Sequence, residues 1–156
     1  MIIAELRTGR HIECAIEIAS KSILPSKREG LSFNWLAAAN VPSGTVYVLL
    51  EISNSRIHGC MQLRNDEGMV VMEILELAPF NLGANKGFEK VAGCLIAFGC
   101  REAIKMDSNY KGFLTFVSKT QLINWYKVKY YATQAIGQRM YIDPESGKKL
   151  INEYLK

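Results

Sequence analysis

Three consecutive β-rich segments joined by two short turns dominate the middle of this chain. They run Thr45 to Ser53, Arg56 to Arg64 and Met69 to Ala78. Asn54-Ser55 turns the first into the second, and Asn65-Asp66-Glu67-Gly68 turns the second into the third. Strands so closely connected pair antiparallel, because a parallel partner needs a crossover of about a dozen residues. An antiparallel meander therefore stands at the centre, and the flanking segments must cover it. At 156 residues, with no repeat or Pro/Gly/Ser-rich linker, the chain reads as a single domain over residues 1–156.

On the N-terminal side, Ile2 to Arg7 reads as an edge strand. Around Gly9 to Ile23, Ile12, Ala15, Ile16 and Ala19 recur at three- and four-residue spacing, which predicts a helix with one buried face. Pro25 to Leu31 reads as a loop, and Phe33 to Ala39 as a second short helix ended before Pro42. After Pro79 a polar loop, Asn81 to Lys90, leads into a long helix reaching about Met106. Val91, Leu95, Phe98 and Ile104 occupy much of its circumference, so it should be buried against a sheet. Gly112 to Ser118 reads as a strand, Thr120 to Tyr131 as an aromatic-rich helix, and Gln138 to Asp143 as a last strand. Pro144 to Leu155 closes the chain as a short helix. The expected class is α/β (α+β), a mixed, mostly antiparallel sheet flanked by helices in the order β-α-α-β-β-β-α-β-α-β.

Composition narrows the function classes. Apolar residues make up 49% and charged residues 22%, which is globular rather than disordered. The net charge of +4 suits an anionic ligand but is too small and scattered to argue for nucleic acid. The basic–aromatic run Tyr126 to Tyr131 reads as a lysine face over an aromatic core rather than a base-stacking platform. No apolar run approaches a membrane span, and Glu5 and Arg7 interrupt the N-terminal apolar stretch, against a signal peptide. Cys14, Cys60, Cys94 and Cys100 lack any CxxC spacing and read as buried thiols of a cytoplasmic protein, with no metal expected.

The strand–loop–helix from Met69 to Met106 is the chemically informative segment. A helix N-terminus offers unpaired N–H groups and a partial positive charge, which suit a phosphate. Close approach requires small residues, here Gly87, Ala92 and Gly93, with Lys86 and Lys90 beside them. Gly93 within a helix costs about 1 kcal/mol relative to alanine. It serves either phosphate approach or close packing on a neighbour, and Gly99 reads as packing.

The element order, the strand VVMEILELAP, the loop NLGANKGFEKVAGCL and the later helix LINWYKVKYYA together resemble the GNAT superfamily of acyl-CoA-dependent N-acyltransferases. The resemblance runs from about Thr45 to Asp143. Gly87-Phe88-Glu89-Lys90-Val91-Ala92 keeps the final small residue of that family's R/Q-x-x-G-x-G/A loop, and Lys119 stands where the family has an asparagine. The resemblance implies that acetyl-CoA is the co-substrate. Leu77 and Ala78 would lie beside its thioester, and the backbone of Lys90, Val91, Ala92, Gly93, Cys94 and Leu95 would hold its pyrophosphate. The sheet would splay after Ala78 to admit it.

The same resemblance makes Tyr126, in Asn124-Trp125-Tyr126-Lys127, the candidate general acid for the departing thiolate, although its helical spacing with Leu122 and Tyr130 equally suits a core aromatic. An attacking amine must also lose a proton. Glu73 is the favoured base with Glu76 as its rival, and strand alternation would point the two to opposite faces. The implied reaction is transfer of an acetyl group to an amine by direct attack in a ternary complex; the alternative is a non-catalytic CoA-binding or regulatory module. The acceptor, a small-molecule or peptide amine, would meet the segment from Leu24 to Ser43, where Lys27, Arg28 and Glu29 offer charge and Phe33 and Trp35 flat surface. An edge strand near the C-terminus would suit a homodimer.

Overall fold

The computed structural model describes residues 1–24 and 30–156. The N-terminus departs from expectation. β1 (Ile2–Glu5) and β2 (His11–Ile18) pair antiparallel, with Ile2 opposite Glu13 and Ala4 opposite His11, so the helix predicted over Gly9 to Ile23 is a strand. Two periodicities compete in this stretch. Ile12, Ala15, Ile16 and Ala19 suit a helix, but Ile12 and Cys14 are buried while His11 and Glu13 are exposed, the alternation of a strand. The β-branched isoleucines 12, 16 and 18 favour that state, and β3 pairs along the other side of β2. Helical covering of this region is limited to α1 (Trp35–Ala39), where the Asn34 side chain accepts a hydrogen bond from the Ala37 amide.

The meander is present as β3 (Gly44–Glu51), β4 (Ile57–Asp66) and β5 (Met69–Leu77). A short 3₁₀ turn, Pro79–Asn81, follows, and then β6 (Phe88–Glu89), which pairs with β1. The strand expected at the edge is therefore partly covered on its outer side. α2 (Val91–Ile104) leads to β7 (Leu114–Val117) and α3 (Ile123–Tyr130), the latter preceded by a 3₁₀ turn. β8 (Thr133–Gln134), too short to leave a sequence signal, pairs with β9 (Arg139–Ile142), and α4 (Pro144–Tyr154) follows, capped by Asp143. The strands form one nine-stranded mixed sheet in the order β6-β1-β2-β3-β4-β5-β7-β9-β8. Among the described residues its single parallel junction, β5 with β7, rests on two residue pairs, Val70 with Leu114 and Val71 with Thr115.

Helices cover both faces. On one, α2 and α4 pack with Leu49, Met61, Leu114 and Phe116; on the other, Trp35 and Ala38 of α1 pack with Val46, Val48 and Leu50. α2 is buried from Val91 through Cys100, as its apolar circumference predicts. Its glycines have separate packing reasons. A Cβ on Gly93 would overlap the Tyr154 ring, and one on Gly99 would press on Leu114.

The pairing of β4 with β5 carries one irregularity. Leu63 of β4 faces Met72 while Gln62 faces Ile74, so Glu73 is an extra residue in a β-bulge. Val70 and Met72 belong to the α2-side core, but beyond the bulge Ile74 packs on the α1 side and Leu75 and Leu77 return to the α2 side.

Candidate active site

The two-pair contact between β5 and β7 is where the site begins. Beyond Val71 and Thr115 the strands separate, which places the splay well before Ala78, where the sequence put it. Antiparallel geometry dictates the consequence. The Ala78 amide donates to the His58 carbonyl at 2.9 Å, so residues 78, 76 and 74 direct their main-chain groups to β4. Leu75 and Leu77 then direct theirs to the side that β7 has left. A cleft of about 440 Å³ opens there, bordered by Leu75, Leu77, Phe116, Lys119, Trp125 and Tyr126. Ala78, expected beside the thioester, is buried and has its N–H engaged by His58. Leu75, which the sequence reading passed over, takes its place.

A second groove of about 300 Å³ continues from Leu77 and Ala92 to the start of α2, lined also by Lys86, Lys90, Val91 and Lys129. Lys90 is the N-cap in a left-handed conformation, φ +75°, with no side-chain cap. The first-turn amides of Val91, Ala92 and Gly93 have no helical acceptor. Cys94 N–H instead donates to the Lys90 carbonyl at 2.9 Å, and Leu95 lies one residue further along the helix, so both leave the expected donor set. Gly87, expected as a small residue for close approach, has its main chain engaged: its N–H donates to Phe80 and its carbonyl accepts from Leu6. Gly93 is small because Tyr154 lies against it, although its amide remains in the first turn. The lysines are the more informative part of the loop. Lys86 and Lys90 line the groove as expected, and Lys129 joins them from α3, its ammonium 5.7 Å from the Trp125 ring. Trp125 and Lys129 are one helical turn apart, a spacing visible in the sequence but read there as a solvated face.

Tyr126 lies on the cleft and is mostly buried, its ring 4.7 Å from Phe116 and 4.9 Å from Trp125. Burial pushes its phenol above 10, so the proton is held throughout the neutral range. No hydrogen bond engages its hydroxyl among the described residues. Core packing and access to the cleft thus coexist in this residue.

Both glutamates border the cleft, so the expectation that alternation would let only one do so is corrected. The bulge at Glu73 breaks the alternation. Glu73 is half-exposed and pairs with Arg64 at 3.2 Å. Glu76 is saturated: its carboxylate accepts from the Ser32 amide and hydroxyl, the Phe33 amide and the Trp35 indole N–H, at 2.7, 2.7, 3.2 and 2.9 Å. Burial would raise its pKa, yet these bonds hold it below the ordinary 4.5. Glu76 therefore anchors the Ser32–Trp35 segment, and Glu73 keeps the freer carboxylate.

That anchoring also settles Trp35, which is buried rather than offered to an acceptor; Phe33 is half-exposed beside the cleft. Lys27, Arg28 and Glu29 lie outside the described residues. All four cysteines are buried. Burial pushes the Cys14 thiol to about 11 and those of Cys94 and Cys100 to about 12, which removes these three as nucleophiles. Among the described residues no cluster of His, Cys, Asp and Glu could hold a metal, and no helix is long and apolar enough to cross a membrane.

No family model matches the chain, and no curated protein matches it in sequence. Solved structures do match in shape. An acetyltransferase of Trypanosoma brucei is similar with a TM-score of 0.53 at 14% identity, over 84% of this chain and 99% of that one. A variant of spermidine N-acetyltransferase SpeG from Vibrio cholerae gives 0.57 at 12% identity, over 90% and 97%. FdhC, a nucleotide-linked sugar GNAT, gives 0.58 at 9% identity, over 91% and 93%. The chain has the fold of the GNAT acetyltransferases.

Proposed function

We propose that this chain is an acyl-CoA-dependent N-acyltransferase that moves the acetyl group of acetyl-CoA to an amine by direct attack in a ternary complex. The observation that carries the reading is the continuity of the splay with the start of α2. Main-chain groups of Leu75 and Leu77, freed by the departure of β7, lead along one groove to the open amides of Val91, Ala92 and Gly93. The thioester would lie at the β5 end of that groove and the pyrophosphate at the α2 end. Lys86, Lys90 and Lys129 add positive charge at the phosphate end.

Acetyl-CoA supplies an activated acyl group whose thiolate leaves readily. The Leu77 N–H, with Leu75 behind it, would polarise the thioester carbonyl and stabilise the oxyanion as it develops. Glu73, directly or through water, would take the proton of the attacking amine. Tyr126, kept protonated by burial, would deliver its proton to the departing sulfur. The chain's own work is to hold the two substrates in line and exclude water between them. The acceptor would enter past Ser32 and Phe33. We place the protein in the cytoplasm, with a small-molecule or peptide amine as acceptor and a homodimer through the β8–β9 edge.

A second reading, CoA binding without transfer, is favoured by the packing of Tyr126 among Phe116, Trp125 and Tyr130. Thermal stabilisation by acetyl-CoA, CoA and pantetheine tests both. A ligand that binds only the folded state at 100 times its Kd adds about 2.7 kcal/mol. Stabilisation by the two CoA forms, but not pantetheine, followed by CoA release in an amine screen, supports the transferase. Stabilisation without turnover for any amine supports the second reading, and no stabilisation at millimolar CoA removes both.

A further inference from the structure

Asn81 ends the 3₁₀ turn after β5 and lines the groove between Leu77 and Val91, yet it is only 4% exposed. Its amide is held by one residue. Asn81 Nδ2 lies 3.0 Å from the His58 carbonyl oxygen and 3.1 Å from His58 Nδ1. A carbonyl oxygen can only accept, so this contact fixes which end of the amide carries the hydrogens. His58 Nδ1 must then offer its lone pair, which puts the ring proton on Nε2. That nitrogen lies 2.8 Å from Glu51 Oε1, the acceptor this tautomer requires. The ring is fully buried, edge-on to Phe80 and Phe88, and burial pushes its pKa down, in keeping with a neutral imidazole.

With both amide hydrogens engaged, Asn81 Oδ1 is left buried and without a partner among the described residues. Such an acceptor is costly to leave unmatched, and the Glu51–His58 pair prevents the amide from turning over to relieve it. The oxygen belongs to a side chain that borders the stretch between the thioester end and the phosphate end of the groove. In acyl-CoA that stretch is the pantetheine arm, whose secondary amides carry N–H donors.

We propose that Asn81 Oδ1 accepts a hydrogen bond from a pantetheine amide N–H, which makes Asn81 a binding residue for the arm, held in place by Glu51 and His58. The proposal rests on the acyl-CoA reading above. It adds a side-chain acceptor to the main-chain groups of β5 and the lysines along the same groove.

The test is calorimetric titration of wild type and Asn81→Ala with CoA and with 3′,5′-ADP, the nucleotide half without the arm. The expected result is a loss of about tenfold in affinity for CoA and none for 3′,5′-ADP. A variant that binds both as tightly as wild type overturns the proposal while leaving the acyl-CoA reading intact. Failure of wild type to bind either ligand overturns both. If Asn81→Ala does not fold, wild type can be titrated with CoA analogues carrying an ester in place of each arm amide. Loss of about tenfold for one analogue supports the bond, and undiminished binding of both overturns it.

Discussion

Gly93 in the first turn of α2 lies against the ring of Tyr154 in the last turn of α4, so closely that a methyl group at position 93 would overlap the ring. The contact joins the N-terminal end of α2 to α4. Replacing Gly93 by alanine gains about 1 kcal/mol of helix propensity but forces an overlap that typically costs about 1–3 kcal/mol. Gly93→Ala should therefore lower stability in wild type and raise it in a Tyr154→Ala background. Urea denaturation of the four proteins measures this double-mutant cycle, and a destabilising Gly93→Ala in both backgrounds would show that the ring is not the cause.

Glu73 and Glu76 should separate in their effects. The Glu73–Arg64 pair is half-exposed and worth at most about 1 kcal/mol, so Glu73→Gln should leave stability nearly unchanged while slowing transfer about a hundredfold at neutral pH. Glu76→Gln sets an NH₂ group against a cluster of donors and should cost roughly 1–3 kcal/mol. Melting curves beside steady-state rates check both. Equal rate losses with equal stability losses would remove Glu73 as the base.

Tyr126→Phe should fold and bind CoA as wild type does, but lower kcat by about a hundredfold. Burial raises the phenol above 10, so the acid form persists and the wild-type rate should not fall on the alkaline side before pH exceeds about 10. An alkaline limb near neutrality that vanishes in Tyr126→Phe would contradict this environment. Above 10 the unfolded chain ionises first, so this residue's contribution to stability is lost as pH rises further.

How much of this was legible beforehand depended on how local the signal was. The meander, α2, α3 and α4 were readable because turns and periodicity are written in neighbouring residues: Asn65 to Gly68, and the apolar circumference of Val91 to Ile104. His11 to Ile18 was misread because two periods fit the same isoleucines, and only pairing with β1 and β3 decides between them. The lining of the groove at the start of α2 was half legible. Leu77, Lys86, Lys90, Val91 and Ala92 line it, whereas Ala78, Gly87 and Cys94 have their amides engaged by His58, Phe80 and Lys90, contacts that only the tertiary fold creates. Asn81 left no sequence signal, since its orphaned oxygen depends on His58 and Glu51, strands away.

The buried His58 gives a pH signature. Burial lowers its pKa below the ordinary 6.5, so the unfolded chain takes up a proton that the native one refuses. Stability should fall as pH drops from about 7 through 6. A further fall is expected below 4.5, where burial would raise the Glu51 carboxyl but bonds from His58 and Asn54 and the Arg56 charge hold it low. Denaturant midpoints across this range check the slope. Nitrogen-15 spectra of the ring should show Nε2 protonated and Nδ1 bare; a doubly protonated ring at neutral pH would make the Glu51 contact an ion pair instead.

The bulge at Glu73 acts on the rest of β5 as a shift of reading frame acts on a message. Every side chain downstream takes its face from whether residue 73 is set aside or counted in the alternation, not from its own identity. Substitution at position 73 is a local event. Pairing the strand regularly with Glu73 kept in line would instead turn Leu75 and Leu77 toward α1, carry Glu76 into the α2-side core, and exchange which amides look into the cleft. A strand without residue 73 would pair Ile74 directly after Met72 and keep the same faces, so it is the setting aside of this residue, not its identity, that holds the frame.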